Sequence, residues 1–201
     1  MSYSVLRHTM YDIRYTEHMR IIGGKYRGRK IQFPLDRSVR PTKDRIRESV
    51  FNMIAEWLPG SRVLDLFAGS GAYGLEAVSR GATTAVFVDD NVRSIKLIQE
   101  NARTLGIVEG IIALKEDVFS GIETLEKRKE KFNIVFSDPP YNKYLAKKTL
   151  ITIDRCDILI RPGLLVLEHH KEECLPEDGL GLSILKKKTY KDISITVYVK
   201  K

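Results

Sequence analysis

The stretch Val63-Leu64-Asp65-Leu66-Phe67-Ala68-Gly69-Ser70-Gly71-Ala72-Tyr73-Gly74 decides the fold, because it joins a short apolar strand, a glycine-rich turn and the start of a helix. Glycines in such a turn let the backbone approach a ligand, and doubly wound sheets bind cofactors in the crevice beyond their strand ends. The spacing Gly69-x-Gly71-x-x-Gly74 also matches the dinucleotide fingerprint. The loop alone therefore leaves two classes of cofactor open.

Downstream of this loop, short apolar runs alternate with longer amphipathic segments, which indicates parallel strands covered by helices on both faces. The predicted strands are 62–67, 85–88, 111–115, 132–137 and 164–168, and the predicted helices are 72–80, 91–105, 121–129 and 144–160. Two alternating runs, 182–187 and 193–200, have no helix between them and predict an antiparallel hairpin. The predicted fold class is α/β, a Rossmann-like, mostly parallel seven-stranded sheet that this hairpin closes.

The region before residue 62 divides into an extension, an arm and the first helix. Residues 1–18 show no clear period and are expected to form a loose extension, and residues 19–41 form an arm of short strands or turns with little core of its own. A helix is predicted to begin near Thr42, a good N-cap, and to end at Pro59-Gly60. Residues 42–201 are expected to form the main domain.

The stretch from Met19 to Arg47 has a net charge of +8, equal to that of the whole chain, so the remainder is balanced. A localised basic segment suits a polyanion-binding arm, because each cation held at a phosphate releases condensed counterions. Tyr26 is a candidate for stacking on a base, although it is equally compatible with a core position. The predicted nucleic-acid contacts are Arg20, Lys25, Arg27, Arg29 and Lys30.

Composition argues against several other classes of protein. The two cysteines, Cys156 and Cys174, form no CxxC pair, and the four histidines lack zinc-ligand spacing, so no metal site is expected. No apolar run approaches the roughly 18 residues needed to cross a bilayer, and the N-terminus lacks the apolar core of a secretory signal. We therefore expect a soluble, cytoplasmic monomer that does not bind membranes.

Carboxylates recur at the ends of successive strands and help to separate the two cofactor classes. Asp65 is a poor neighbour for a pyrophosphate but a good one for S-adenosylmethionine, which carries an ammonium and a sulfonium and no phosphate. Asp89 is placed to accept hydrogen bonds from ribose hydroxyls, and Asp117 with Val118 can offer a carboxylate and an apolar wall to adenine. Each acid taken alone is also consistent with a helix cap. The predicted cofactor contacts here are Asp65, Phe67, Gly69, Gly71, Asp89, Asp117 and Val118.

The run Asp138-Pro139-Pro140-Tyr141 follows the fourth predicted strand and is the most specific signal in the chain. Two prolines fix the backbone, so Asp138 and the Pro139 carbonyl can accept the two hydrogens of an amino group while Tyr141 stacks on the base. Holding both hydrogens turns the weakly nucleophilic nitrogen lone pair toward a methyl donor. The predicted catalytic residues are therefore Asp138, Pro139 and Tyr141, acting on an exocyclic amino group of a base.

A base inside a duplex cannot reach such a corner, so the target is expected to be unpaired or flipped out. An RNA loop meets this need, and so does a flipped base in DNA. A DNA adenine-N6 methyltransferase is therefore one alternative, although no inserted target-recognition domain is visible. A catalytically silent ribosome-assembly protein that binds RNA is a second, and a dinucleotide-dependent oxidoreductase is a third.

Taken together, these motifs resemble the RsmD family of bacterial ribosomal RNA guanine-N2 methyltransferases. Two of the matching blocks, the glycine loop and Asp-Pro-Pro-Tyr, are shared by many amino-group methyltransferases, whereas two N-terminal blocks are narrower. The matches are Met19-Arg20-Ile21-Ile22-Gly23-Gly24 with Tyr26-Arg27-Gly28-Arg29, then Arg40-Pro41-Thr42 through Asp44-Arg45-Ile46-Arg47-Glu48 to Phe51-Asn52, then residues 63–71, and last Asp138-Pro139-Pro140-Tyr141.

The resemblance implies a class I methyltransferase fold and one methyl group added to a guanine of small-subunit ribosomal RNA, within a partly assembled subunit. It also implies that Arg40 and Thr42 lie over the S-adenosylmethionine site. Asp89 departs from the glutamate expected in the family, which puts only the fine geometry of the ribose contact in doubt.

Overall fold

The computed structural model describes residues 17–33, 41–141, 144–176 and 180–201. Arg40 and the predicted extension up to residue 16 lie outside these residues. The strands are β1 (Glu17–Arg20), β2 (Lys30–Phe33), β3 (Arg62–Leu66), β4 (Thr84–Asp89), β5 (Ile111–Lys115), β6 (Phe132–Ser137), β7 (Leu159–His170), β8 (Leu182–Tyr190) and β9 (Ile193–Lys200). The helices are α1 (Pro41–Met53), α2 (Ala72–Ser79), α3 (Val92–Leu105), α4 (Val118–Lys127) and α5 (Leu145–Arg155), with single 3-10 turns at Gly24–Tyr26 and Ala55–Trp57.

The central sheet has seven strands in the order β5-β4-β3-β6-β7-β9-β8. The pairs from β5 to β7 are parallel, and β9 pairs antiparallel with both β7 and β8. The predicted α/β fold with a closing C-terminal hairpin is therefore confirmed. Because parallel strands end at one edge of a sheet, the loops after β3, β4, β5 and β6 meet there.

Apolar side chains cover both faces of the sheet and form two clusters. One cluster joins the sheet to α1, α2 and α3 through buried residues such as Val50, Leu75 and Ile98. The other joins it to α4 and α5 through residues such as Ile122 and Leu150. This three-layer arrangement explains why the central strands are nearly continuous in apolar residues.

The N-terminal hairpin of β1 and β2 packs on the domain more tightly than the sequence indicated. Its apolar residues Met19, Ile21, Ile31 and Phe33 are buried in the α1, α2 and α3 cluster, a contribution to the shared core that the sequence pattern did not reveal. The reason is that the short antiparallel pair buries one face against the helices instead of forming a core alone.

Three hydrogen-bonded side chains attach this hairpin to α2 and α3. Glu76 is fully buried and accepts from the backbone N–H groups of Ile22 and Gly23 at 2.7 and 2.8 Å. Ser79 accepts from the backbone N–H of Tyr26 at 2.9 Å. On α3, the amide oxygen of Asn101 accepts from Gln32 N–H at 2.7 Å. The basic hairpin is therefore fixed relative to the sheet.

Two boundaries of helices and strands differ from those predicted from the sequence. Helix α1 begins at Pro41, so Thr42 lies inside its first turn and its N-cap assignment is wrong; proline suits a first helical position because it has no N–H to leave unpaired. Residues 159–160 were predicted to end a helix but begin β7. Their apolar pattern satisfies either element, because a buried segment carries no periodicity that separates them.

Candidate active site

The glycine loop lies between the end of β3 and α2, and two carboxylates occupy its backbone donors. The Gly74 N–H donates to Asp65 Oδ2 at 2.9 Å, and the Gly69 N–H donates to Asp89 Oδ2 at 2.8 Å. The Gly71 N–H donates to the Ala68 carbonyl at 2.8 Å. A dinucleotide site needs such donors for its pyrophosphate. The Gly69 and Gly74 donors are already bonded to the two carboxylates, which argues against the dinucleotide interpretation of this loop.

Two of the three glycines are required by close packing. Gly71 has a φ of 78°, and a Cβ atom there would lie 3.0 Å from Ile98 and 3.2 Å from Phe87. A Cβ atom on Gly74 would lie only 2.3 Å from the buried Phe87 ring, so no side chain fits without a shift of the strand or the helix. The spacing that resembles a nucleotide fingerprint thus also serves the packing of α2 against the sheet.

Asp65, Asp89 and Asp138 form an acidic cluster at the ends of β3, β4 and β6. Asp65 and Asp89 are buried, and Asp138 is partly buried. Burial raises the pKa of Asp65 well above its usual range; the Gly74 hydrogen bond lowers this pKa, and the nearby Asp138 and Asp89 raise it further. A cation placed among these groups relieves the repulsion and restores the ionised form. The cluster therefore favours a positively charged ligand.

Two clefts meet at the acidic cluster, and Phe67 and Asp138 line both of them. The first extends from Asp65 and Gly69 toward the hairpin and α1. The second is lined by Asp89, Asp117 and Val118. Six of the predicted cofactor residues, Asp65, Phe67, Gly69, Asp89, Asp117 and Val118, thus line one connected crevice.

Asp117 has a structural role in addition to its place in the second cleft. It is the N-cap of α4, and its Oδ1 accepts from the backbone N–H groups of Phe119 and Ser120 at 3.0 and 3.2 Å. Asp89 is similar, because its Oδ1 accepts from Asn91 N–H at 2.9 Å. A carboxylate has about four lone-pair directions, so each acid retains acceptor capacity toward a ligand. Asp117 and Asp89 can therefore hold the local backbone and contact a ligand at the same time.

The Asp-Pro-Pro-Tyr corner stands directly after β6, and an unpredicted network holds its tyrosine. The Tyr141 hydroxyl donates to Glu168 Oε1, and the Tyr73 hydroxyl donates to Glu168 Oε2 at 3.2 Å. Glu168 is buried near the end of β7. Burial, together with the carboxylates of Glu168 and Asp138, raises the pKa of both tyrosines. Both hydroxyls therefore remain protonated donors.

Arg47 ends the basic segment of the sequence, but it is not one of the exposed cations. It is 3% exposed, and it lines the first cleft from α1. Its guanidinium donates to the Arg20 carbonyl and to Met19 Sδ, and it pairs with Asp44 at 3.3 Å. Burial lowers the pKa of Arg47, while Glu76 and Asp44 raise it. Its charge therefore belongs to the wall of the crevice.

The five predicted nucleic-acid contacts, Arg20, Lys25, Arg27, Arg29 and Lys30, are all exposed on the hairpin. Tyr26 is half-buried against the core, and the cations of Lys25 and Arg29 lie 5.4 and 5.5 Å from its ring centroid. This contact occupies the ring, which weakens the case for Tyr26 as a free stacking platform. Arg29 also donates to the Leu105 carbonyl at 2.8 Å.

The residues of the crevice fit S-adenosylmethionine by their chemistry. Buried carboxylates face the place where a cationic ligand would lie, and Asp89 retains acceptor capacity for ribose hydroxyls. Val118, Phe119 and Leu145 add apolar wall to the second cleft. Among the described residues, no group of three or more His, Cys, Asp or Glu side chains is arranged to hold a metal ion. None of the described helices is long and apolar enough to span a membrane.

Comparison with known proteins assigns the chain to a family. The family model described as "Conserved hypothetical protein 95" matches residues 19–199. Over 181 residues the chain is 34% identical to "Ribosomal RNA small subunit methyltransferase D" of Escherichia coli K12, covering 90% of this chain and 89% of that protein. The chain belongs to the RsmD family. This confirms the resemblance drawn from the sequence motifs.

Two further comparisons agree with this assignment. The chain is 37% identical over 183 residues to "Putative rRNA methyltransferase YlbH" of Bacillus subtilis, covering 91% of this chain and all of that protein. A solved structure of "Putative methyltransferase yhhF" from Escherichia coli superposes with a TM-score of 0.78 at 30% identity, covering 92% and 99% of the two chains. The methyltransferase fold is thereby confirmed.

Sequence reasoning missed Glu168, Tyr73 and Arg47. Glu168 carried a usable signal, because a carboxylate at the end of an apolar strand meets the other strand ends in a parallel sheet. Tyr73 and Arg47 carried no such signal. Each lies in a helix, and the sequence pattern does not indicate which residue its polar group contacts. Of the two residues predicted to lie over the cofactor, Arg40 and the side chain of Thr42 are outside the described residues.

Proposed function

We propose that the chain transfers a methyl group from S-adenosylmethionine to the exocyclic N2 of a guanine in small-subunit ribosomal RNA. We further propose that it acts as a cytoplasmic monomer on a partly assembled subunit. One observation supports this chemistry best: Asp138 lines both clefts and is also the first residue of the Asp-Pro-Pro-Tyr corner. A single carboxylate can therefore contact both the cofactor crevice and the target amino group. The family membership and the name of the Escherichia coli relative, a ribosomal RNA small subunit methyltransferase, support the RNA substrate.

In the proposed reaction, the corner holds the target amino group before methyl transfer. Asp138 and the Pro139 carbonyl accept its two hydrogens, and Pro139 is buried, so this carbonyl is fixed. The ring of Tyr141 stacks on the base, and Glu168 fixes the ring through its hydroxyl. The bound cofactor supplies an electrophilic methyl group on its sulfonium. Rate acceleration then comes mainly from positioning, which can supply roughly 7–11 kcal/mol of the barrier.

Proton transfer completes the proposed reaction. As the nitrogen–methyl bond would form, the methyl–sulfur bond would break and leave a neutral thioether, so the nitrogen would carry the positive charge and one hydrogen too many. Asp138 accepts this proton, because it already holds one of the two N–H bonds. The acidic cluster stabilises the cationic nitrogen while it lasts, since a positive charge among carboxylates in a poorly solvated site is favourable.

The proposal is tested with labelled S-adenosylmethionine and small ribosomal subunits that lack base methylation, followed by nucleoside mass spectrometry. We expect N2-methylguanosine in the RNA. Label in added DNA as N6-methyladenine, without transfer to RNA, would support the DNA alternative instead. Binding to subunits without transfer to either nucleic acid would support the silent assembly protein.

The catalytic assignment is tested by Asp138→Ala. We expect methyl transfer to fall by at least about 100-fold, because positioned proton acceptors commonly contribute this much, while cofactor binding changes little. Glu109→Ala is the matched control. Glu109 is an exposed acid just before the start of β5, whereas the site lies beyond the ends of the parallel strands. An active Asp138→Ala enzyme would refute the proposed geometry.

A further inference from the structure

The edge strand β8 carries a second basic surface, which we call the β8 lysine surface and define as Lys186, Lys187 and Lys188. All three side chains are exposed, and none forms an ion pair with another described residue. The sequence analysis treated the chain outside residues 19–47 as electrically balanced. In the fold, however, these cations concentrate positive charge along the edge strand: Lys186 and Lys188 lie on the face toward α1, and Lys187 lies between them on the opposite face.

Two of these lysines lie along α1, whose other residues reach the crevice. The Lys186 ammonium donates to the Met53 carbonyl at 3.0 Å, and the Lys188 ammonium donates to Ser49 Oγ at 3.1 Å. One turn before Ser49, Ile46 and Arg47 line the first cleft. Helix α1 thus extends from the lysines to the wall of the cofactor site.

The last residue of β8, Tyr190, lies on the same side of the sheet as the strand ends that form the catalytic corner. Tyr190 pairs with Ile193 of β9, and Ile193 pairs with His170 of β7. The His170 ring lies 6.5 Å from the Tyr141 ring, edge to face. Two strand spacings of about 4.8 Å therefore separate the top of β8 from the strand that carries this ring. That span is within the reach of nucleotides that flank a base held at the corner.

The two basic surfaces lie on opposite sides of the crevice. The basic hairpin packs on α2 and α3, which cover the β3, β4 and β5 side of the sheet. Strand β8 is the opposite edge, beyond β7 and β9. The acidic cluster and the Asp-Pro-Pro-Tyr corner stand between them, at the ends of β3, β4 and β6.

We propose that the β8 lysine surface is a second RNA contact, which holds phosphates on the side of the target nucleotide that the hairpin does not reach. This inference rests on the proposed function. An RNA strand that delivers one base into the crevice must continue in both directions, and its phosphates carry charge on both sides. Lysine suits this role, because its ammonium is a mobile point charge that needs no fixed bidentate geometry.

The inference is tested with the triple variant Lys186→Gln, Lys187→Gln and Lys188→Gln. We expect its affinity for unmethylated small subunits to fall about tenfold near 0.15 M salt, and the slope of log affinity against log salt to decrease by about two, at roughly 0.7–0.9 per phosphate contact. The KM for subunits should rise in parallel while kcat at saturation stays within about twofold, since no lysine contacts the reacting groups.

Two controls isolate charge from structure. The triple arginine variant at the same positions keeps the charge but changes the hydrogen bonds to α1, and we expect near wild-type affinity. A glutamine triple at Lys127, Arg128 and Lys129 removes three consecutive exposed cations from the end of α4, next to the start of β6 and far from the strand ends that form the site. We expect it to leave affinity and salt slope unchanged.

The outcomes separate this inference from the proposed function. If the wild type binds RNA but transfers no methyl group to guanine, the proposed function fails, while the affinities still decide the role of the surface. Unchanged affinity and slope in the glutamine variant overturn the inference. So does aggregation of that variant with unchanged RNA affinity, because edge-strand lysines also hinder pairing with a second chain. A loss as large in the α4 control would show a non-specific effect of charge and overturn it too.

Discussion

Replacing Glu168 by alanine should impair catalysis more than cofactor binding, because Glu168 acts on the catalytic corner through Tyr141, although its carboxylate also lines the first cleft. Glu168 joins two hydroxyls: that of Tyr141 at the catalytic corner, and that of Tyr73 in the core. The Tyr73 ring is itself fixed, since it stacks on Phe136 with centroids 5.4 Å apart and lies 6.1 Å from Phe51. Glu168 thereby transmits the rigidity of the core to the ring expected to stack on the base.

The size of the effect follows from the bond that is lost. A hydrogen bond to a charged group contributes about 1.5–3 kcal/mol. If most of this energy serves to hold Tyr141 in its stacking pose, Glu168→Ala lowers kcat/KM by about 10- to 100-fold, at about 1.4 kcal/mol per tenfold. Steady-state methyl transfer to unmethylated subunits measures the loss, and calorimetric titration with S-adenosylmethionine should show a smaller factor of change in the dissociation constant than in kcat/KM.

Two matched variants make this reasoning refutable. Tyr141→Phe keeps the ring but loses the bond to Glu168, so it should reproduce most of the defect. Tyr73→Phe removes the other bond and leaves Tyr141 attached, so its kcat/KM should stay within about threefold of wild type, the factor that roughly 0.6 kcal/mol produces. If Glu168→Ala is as active as wild type, or if Tyr141→Phe is fully active while Glu168→Ala is not, Glu168 does not act by positioning this ring.

Asp65→Asn should weaken S-adenosylmethionine binding and yet stabilise the protein without cofactor above neutral pH. Because the pKa of Asp65 is raised in the folded state, the stability that Asp65 contributes is present at low pH and is lost as the pH rises through that pKa. Each pKa unit of difference between the folded and unfolded states corresponds to about 1.4 kcal/mol, or roughly 3–6 °C of melting temperature at this chain length. Melting scans from pH 5 to 9 measure this, and a variant less stable than wild type at pH 9 would contradict it. Asp117→Asn should keep the α4 cap, because asparagine caps about as well as aspartate, but weaken cofactor binding; unchanged affinity would limit Asp117 to capping.

The sequence was sufficient for the sheet and for one side of the crevice. Continuous apolar strands separated by amphipathic helices leave few arrangements open, and carboxylates at the ends of parallel strands converge by topology. Asp65, Asp89, Asp117 and Asp138 could therefore be placed together before the fold was known. No long-range contact had to be guessed for this step.

The other side of the crevice could not be predicted, because it depends on how the hairpin and α1 pack on the sheet. Arg47 was counted only as part of the basic segment, since nothing in its neighbourhood indicates that α1 turns it inward. Glu76 has no recognisable signal in the sequence of α2, although it is fully buried and holds the backbone of Ile22 and Gly23. The Glu76 contacts join residues more than 50 positions apart, and local patterns carry no information about them.

The distribution of charge explains how one site can accept a cationic cofactor and a base from a polyanion. Carboxylates line the crevice, where low solvation strengthens their repulsion of any phosphate, while exposed cations stand on the hairpin and on β8. Under the proposed function, the RNA backbone is therefore held outside and only an uncharged base can enter. This arrangement makes an unpaired or flipped nucleotide a requirement of electrostatics as well as of shape. It also accounts for the glycine loop: the Gly74 and Gly69 N–H groups donate to Asp65 and Asp89, and the Gly71 N–H donates to the Ala68 carbonyl, so these three donors are not offered to an anion.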